Sequence, residues 1–250
     1  MKTDDLVLIT DLRSNTSYLV KLGTGTQNVK GLGVLDFERV KTKNYGDVYE
    51  IGSMRFLLRR PTTHQAINRL KRKAQVITEK DIPNILFIGD VPNARLIIEG
   101  GAGSGYLTSA LCSAIHPGGT VVTYELREDF ASLARENLDL MGLSDRSVMK
   151  IADITKGIEE TGVDLVVVDI PDPQACVPHA HKALRSGGVF ISYVPTMNQM
   201  ESCSHAMKEA GFLDIQSFET LYRRMVVGEM GTRPDFEMLG HTGYLTYGYK

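Results

Sequence analysis

The stretch from Leu96 to Gly105 constrains this chain more than any other: Leu96-Ile97-Ile98 is wholly apolar, Glu99 follows, and Gly100-Gly101-Ala102-Gly103-Ser104-Gly105 opens into a helical pattern from Tyr106 to Ile115. A buried strand that stops at clustered glycines and turns into a helix lets a ligand lie against backbone at a helix N-terminus. The spacing narrows the ligand. A dinucleotide fingerprint counted from Gly101 needs glycine where Tyr106 stands, whereas Glu-x-Gly-x-Gly-x-Gly is intact, which moves the reading from nicotinamide toward S-adenosylmethionine.

The flanking text sets that turn in an α/β frame. After Arg95 to Glu99, segments alternate: Tyr106 to Ile115, Gly119 to Glu125, Arg127 to Met141, Asp164 to Asp169 and Gly188 to Val194. Such an order predicts a parallel sheet covered by helices. Ile215 to Val227 and Gly240 to Tyr249 read as two strands around a loop at Gly228 to Leu239, closing the sheet with an antiparallel hairpin. Residues 1–60 instead alternate short β-rich pieces with turns (Leu6 to Ile9, Tyr18 to Val20, Gly31 to Leu35, Val48 to Ile51, Phe56 to Leu58) and read as a small all-β domain. Pro61 to Leu86 reads as a mainly helical connector, with Pro61 at one helix start and Asp81 and Pro83 as cap and first-turn proline of another. The expected division is a β domain at 1–60 and a connector with a Rossmann-like domain at 61–250.

Composition adds exclusions. Of 250 residues, 42% are hydrophobic and 23% charged, so disorder is excluded, and a formal charge of −2 restricts any nucleic-acid site to a local patch. Three cysteines without paired spacing point to a reducing, cytoplasmic setting, and the polar start with strand-sized apolar runs predicts neither a signal peptide nor a membrane anchor.

Acidic residues at successive strand ends carry the chemistry. Glu125 closes the second strand of the frame, where a carboxylate accepts both hydroxyls of a ribose, and Asp153 follows the third, placed to take an adenine amine proton. The plain alternative is that these acids cap the following helices. Val166-Val167-Val168-Asp169-Ile170-Pro171-Asp172-Pro173 ends the next strand, where open α/β sheets bind ligands, and its prolines stiffen the loop that carries Asp169. Acidic-Pro motifs at this strand recur in methyltransferases that modify nitrogen. Between Arg55 and Lys73, seven basic residues (Arg55, Arg59, Arg60, Arg69, Lys71, Arg72, Lys73) stand without one acid, which reads either as a phosphate-binding patch or as a solvated face. Arg223, Arg224 and Arg233 are candidate extensions. Cys176, His179 and His181 lack the spacing of a metal set, and His241 and His64 stand alone.

Taken together, these residues resemble, over nearly the full length, the single-subunit tRNA (adenine-N1)-methyltransferases that act on the T-loop adenosine at position 58. The matching pieces are Leu58-Arg59-Arg60-Pro61-Thr62, Lys71 to Ile77, Lys80-Asp81, the glycine turn, Asp169 to Pro173, Tyr193-Val194-Pro195-Thr196 with Gln199, and Arg233-Pro234 with Gly240-His241-Thr242-Gly243. The resemblance implies a Rossmann-like methyltransferase domain with a mostly parallel seven-stranded sheet, a small N-terminal β domain for tRNA binding or assembly, and a homotetramer. It also implies S-adenosylmethionine bound by Gln75, Gly101, Gly103, Ser104, Gly105, Leu107, Glu125, Ala152, Asp153 and Asp169. Asp169 is then the catalytic carboxylate, and tRNA is contacted by Arg59, Arg60, Lys71, Arg72, Lys73, Arg223 and Arg233. The chain departs from the family at Thr78-Glu79, where a Tyr-Pro pair is usual, and at Ala102, which lacks the usual hydroxyl. Two other classes stay open: a methyltransferase of this fold acting on a small molecule or protein, and a non-catalytic tRNA-binding subunit. Position 57 as a further target also stays open.

Overall fold

In the computed structural model, which describes residues 1–229 and 231–250, the apolar run Val7-Leu8-Ile9 is wholly buried and forms the centre of the first of two units. This unit comprises residues 1–71 and 136–145. Its elements in chain order are β1 (Leu6–Asp11), β2 (Ser17–Lys21), β3 (Thr26–Val29), β4 (Gly33–Asp36), α1 (Phe37–Lys41), β5 (Val48–Ile51), β6 (Met54–Arg59) and α2 (Thr63–Ile67). An antiparallel sheet in the order β2-β1-β6-β5 packs Val7, Ile9, Val20, Phe56 and Leu58 against Leu22, Leu35, Phe37 and Val40. The five-residue helix α1 starts where the Asp36 carboxylate accepts from the backbone N–H groups of Glu38 and Arg39. The unit runs past residue 60 because Asn137 holds the chain at Lys71 from both sides, accepting from Lys71 N at 3.2 Å and donating to its carbonyl at 2.8 Å.

The second unit comprises residues 72–135 and 146–250. Its elements are α3 (Ile82–Ile88), β7 (Leu96–Gly100), α4 (Tyr106–Ala114), β8 (Thr120–Glu125), α5 (Glu128–Met141), β9 (Ser147–Ile151), β10 (Val163–Val168), α6 (Pro173–Ala183), β11 (Leu184–Val194), α7 (Met197–Ala210), β12 (Leu213–Glu219), β13 (Met225–Gly228), β14 (Gly231–Pro234) and β15 (Tyr244–Tyr249); from Glu136 onward α5 counts with the first unit. Seven strands form one sheet in the order β12-β15-β11-β10-β7-β8-β9, parallel from β11 to β9 and antiparallel at β15. Its central strand β10 reads Val-Asp-Leu-Val-Val-Val, and Leu165 to Val168 are wholly buried because helices cover both faces of a parallel sheet. From β7 the chain proceeds outward to β8 and β9, then returns to lay β10 on the other side of β7. The carboxyl ends of β7 and β10 therefore flank the reversal of strand order, the place where open α/β sheets form a ligand crevice.

Three expectations are corrected. The connector is not mainly helical: α2 begins at Thr63, after Pro61, with a capping box between Thr62 and Gln65, and no helix resumes until Ile82. Between them the β-branched run Val76-Ile77-Thr78 disfavours helix, and Lys73 N bonds to Ser104 Oγ at 3.1 Å. Asp81 precedes α3 but makes no side-chain cap, because its carboxylate is engaged elsewhere. The strand expected at 215–227 is split, since β12 ends at Glu219 and β13 pairs with β14 inside the stretch read as a loop.

Candidate active site

Glu99, the last side chain before the glycine turn, faces inward and is wholly buried. Thr108 of α4 and Thr123 of β8 donate to its Oε2 at 2.7 and 2.8 Å, so one carboxyl group ties the turn to the elements on either side. Burial pushes its pKa up to about 8, and Oε1 has no hydrogen-bond partner among the described residues. The turn itself depends on left-handed backbone at Gly101, Gly103 and Gly105, with φ of 89°, 50° and 76°. A Cβ at Gly101 would lie 2.4 Å from the Asp169 carbonyl oxygen, whereas one at Gly103 would meet nothing within 4 Å. The first glycine thus permits contact between two loops, and the second borders open space.

Around that space stand the expected acids. Glu125, at the end of β8, accepts from Gly103 N at 3.2 Å through Oε2 and from Arg127 N at 2.9 Å through Oε1. Asp153 accepts from Thr155 N and Oγ1 through Oδ1, which holds its pKa below the usual range; capping therefore occupies one oxygen while Oδ2 makes no hydrogen bond among the described residues. Ala152 is exposed beside it, its N–H on the Glu125 carbonyl at 3.1 Å.

Asp169 follows β10, its backbone N–H donating to the Gly100 carbonyl at 2.8 Å. The side chain keeps access to solvent and makes no hydrogen bond among the described residues, yet desolvation by surrounding protein pushes its pKa up to about 6. Gln199 of α7 braces the loop beyond it, donating to the Pro171 carbonyl at 2.8 Å.

The remaining expected residues divide. Ser104 is buried and accepts from Lys73 N, and Leu107 is buried in the first turn of α4, while Gln75 is exposed. Of the basic residues, Arg59 spends its guanidinium on Thr10 Oγ1, Lys71 pairs with Glu136 at 3.1 Å, and Lys73 lies 3.8 Å from Asp129. A stretch without acids in sequence is thus partly neutralised in space. Arg60, Arg72 and Arg223 are exposed, and Arg233 stacks on Phe236 at 4.1 Å. No cluster of His, Cys, Asp and Glu able to hold a metal occurs among the described residues.

Residues 56–231 match the family model of the tRNA methyltransferase complex GCD14 subunit. The chain is also 33% identical, over 92% of its length and 89% of the relative's, to the tRNA (adenine(57)-N(1)/adenine(58)-N(1))-methyltransferase TrmI of Methanocaldococcus jannaschii. The chain belongs to this tRNA methyltransferase family. Among solved structures it resembles a Thermotoga maritima protein described as a SAM-dependent O-methyltransferase (TM-score 0.86, 31% identity, all of this chain and 94% of that one). It likewise resembles the tRNA (m1A58) methyltransferase TrmI of Aquifex aeolicus (TM-score 0.77, 28% identity, all of this chain and 98% of that one). The fold is the Rossmann-like fold of S-adenosylmethionine-dependent methyltransferases, and S-adenosylmethionine is the cofactor. The site fits it: a glycine cradle open at Gly103 brings backbone close to a ligand, with the Glu125 carboxylate beside it.

Two family motifs carry more than their spacing suggests. Asp81 is 1% exposed and collects Thr78, Lys80, Tyr193 and Thr242. His241 bridges Glu219 Oε1 at 2.6 Å and the Pro195 carbonyl at 2.7 Å. No short-range pattern could reveal either role, because Thr242 lies 161 positions from Asp81.

Proposed function

We propose that the chain transfers a methyl group to N1 of the T-loop adenosine at tRNA position 58, with Asp169 as the catalytic carboxylate. The observation carrying this reading is the solvent-accessible, desolvated Asp169 beside the glycine cradle, in a tRNA methyltransferase of this family. S-adenosylmethionine, when bound, supplies a methyl group on a sulfonium sulfur. Backbone at Gly101, Gly103, Ser104, Gly105 and Leu107, with Ala152 and Gln75, cradles it; Glu125 takes the ribose hydroxyls and the free oxygen of Asp153 takes the adenine amine. Asp169 accepts a hydrogen bond from the exocyclic amine of the target base, offsets the positive charge that develops there, and takes the amine proton as product forms. Positioning an already nucleophilic nitrogen does the rest.

Arg60, Arg72 and Arg223, exposed in their own units, are the residues best suited to phosphate, while Lys71 and Lys73 must first leave an acid and Arg59 its threonine. The exposed apolar side chains Val227, Phe236 and Leu239 support self-association to a homotetramer. Three buried cysteines, none of them in a disulfide bond, support a cytoplasmic setting.

Purified protein incubated with unmodified tRNA transcript and labelled S-adenosylmethionine, followed by nucleoside analysis, tests the reading. Label in 1-methyladenosine mapping to position 58 supports it, and a second label at 57 would extend the target to the pair named for the M. jannaschii relative. Label in a ribose O-methyl nucleoside would favour the chemistry named for the Thermotoga structure. Absence of label despite a cofactor complex would overturn it.

A further inference from the structure

Three sequence motifs, the outermost 161 positions apart, converge on one buried carboxylate. Asp81 Oδ2 accepts from Thr78 Oγ1 at 2.9 Å, from Thr242 Oγ1 at 2.9 Å and from the Tyr193 hydroxyl at 3.4 Å, while Lys80 Nζ lies 2.8 Å from Oδ1. Lys80, Tyr193 and Thr242 are each less than a tenth exposed. The Tyr193 ring lies flat on Gly243, where a Cβ would come within 2.4 Å of Cζ. An assembly of this kind costs desolvation, and a mere anchor between loops needs no charge, since well-packed apolar groups would hold them as well.

The chemistry of the arrangement suggests its use. An ionised carboxylate has no proton to give, so every hydroxyl around Asp81 must donate to it and turn its lone pairs the other way. Thr78 and Thr242 also line a recess of about 250 Å³, whose other walls include Tyr222, Asp235, Glu237 and the Glu79–Arg224 pair. Lys80 is held by Asp81 and Arg224 by Glu79, and the Tyr222 hydroxyl and the carboxylates of Asp235 and Glu237 complete the polar lining. On the other side of the cluster, Tyr193 bonds Asp81 and follows Ser192, which pairs across the sheet with Val168, the residue before Asp169; burial first, then the negative charges of Asp81 and Asp169, raise its phenol.

We propose that Asp81 is a positioning residue that selects the target base: by orienting the Thr78 and Thr242 hydroxyls as acceptors, it makes this wall receptive to an exocyclic amine and hostile to a carbonyl. The proposal rests on the adenine-methylating reading above. Asp169 takes one N–H of the amine, and the hydroxyl wall takes the other. A base with a carbonyl at the same place would leave two acceptors facing a third, at an energetic cost.

The test compares methylation of two tRNA transcripts, one with adenosine at the target position and one with purine riboside, which keeps N1 but lacks the amine. The preference for adenosine in kcat/KM is measured for the unaltered protein, Asp81→Asn, Thr242→Val and Thr78→Val, alongside S-adenosylmethionine affinity. The expected result is a loss of about tenfold of that preference in D81N and T242V with cofactor affinity unchanged. Equal slowing on both transcripts, preference intact, would make Asp81 a structural anchor and overturn the proposal. If D81N does not fold, T242V, which removes one hydroxyl and leaves the carboxylate three other donors, decides by the same ratio. Failure of the unaltered protein to methylate either transcript would overturn the adenine reading, and this proposal with it.

Discussion

Asp169 and Glu99 are both carboxyls with raised pKa, but for different ends. The Asp169 side chain touches solvent and makes no hydrogen bond among the described residues, whereas Glu99 is sealed in and bonded to two threonines. Asp169→Asn is expected to lower kcat by about 10²–10⁴, because the amide keeps the shape but cannot take a proton. The pH–rate profile checks the same assignment. An acceptor must be ionised, so activity should rise with pH through about 6 in the unaltered protein and lose that step in the variant. Glu99 affects stability instead. Its folded pKa of about 8 exceeds the ordinary 4.5, so the native chain holds a proton that the unfolded chain releases, and stability falls as pH rises between those values. Glu99→Gln, which mimics the protonated form, should flatten that slope in denaturant titrations at several pH values.

At the scale of elements, the glycine turn and the closing strands each hang on a single residue. Gly101→Ala places a methyl group against the Asp169 carbonyl at a backbone angle that L residues avoid, at an expected cost of about 1–3 kcal/mol. Calorimetry should show the cofactor affinity lost with it. His241 joins the end of β12 to the loop after β11, and both ring nitrogens face acceptors, so the bridge is complete only in the imidazolium. Glu219 and the Pro195 carbonyl raise its pKa above the ordinary 6.5. This contribution is fully present below that ordinary value and is lost as pH rises through the folded pKa. Hydrogen exchange of β12 and β15 should accelerate over that range, and His241→Gln should remove the dependence. Much at this scale could be read from sequence: Arg95 to Glu99, Tyr106 to Ile115 and Arg127 to Met141 lie within a residue or two of β7, α4 and α5, because buried parallel strands and amphipathic helices have strong local periodicity. The connector departs from its helical pattern because its conformation follows from bonds to Asn137 and Ser104, which no local pattern encodes.

The whole molecule adds what no single element decides. Val227 and Phe236 are 79% and 81% exposed, and the proposed self-association would cover them. Val227→Asp with Phe236→Asp should lower the sedimenting mass while leaving the far-ultraviolet spectrum unchanged; an unaltered mass would remove these residues from the assembly surface. Sequence by itself determined the parallel sheet, the glycine turn after β7 and the acids at the strand ends, because each is written in a few consecutive residues whose burial or backbone freedom is a local property. Only the tertiary structure decided which charges are spent and which are free. It pairs Lys71 and Lys73 with acids of α5 and leaves Arg60 and Arg72 exposed. It also turns Asp81 from an expected helix cap into the meeting point of Thr78, Lys80, Tyr193 and Thr242. The reason is physical: a charge acts through space over a few ångströms, and the neighbours that set its role lie far along the chain.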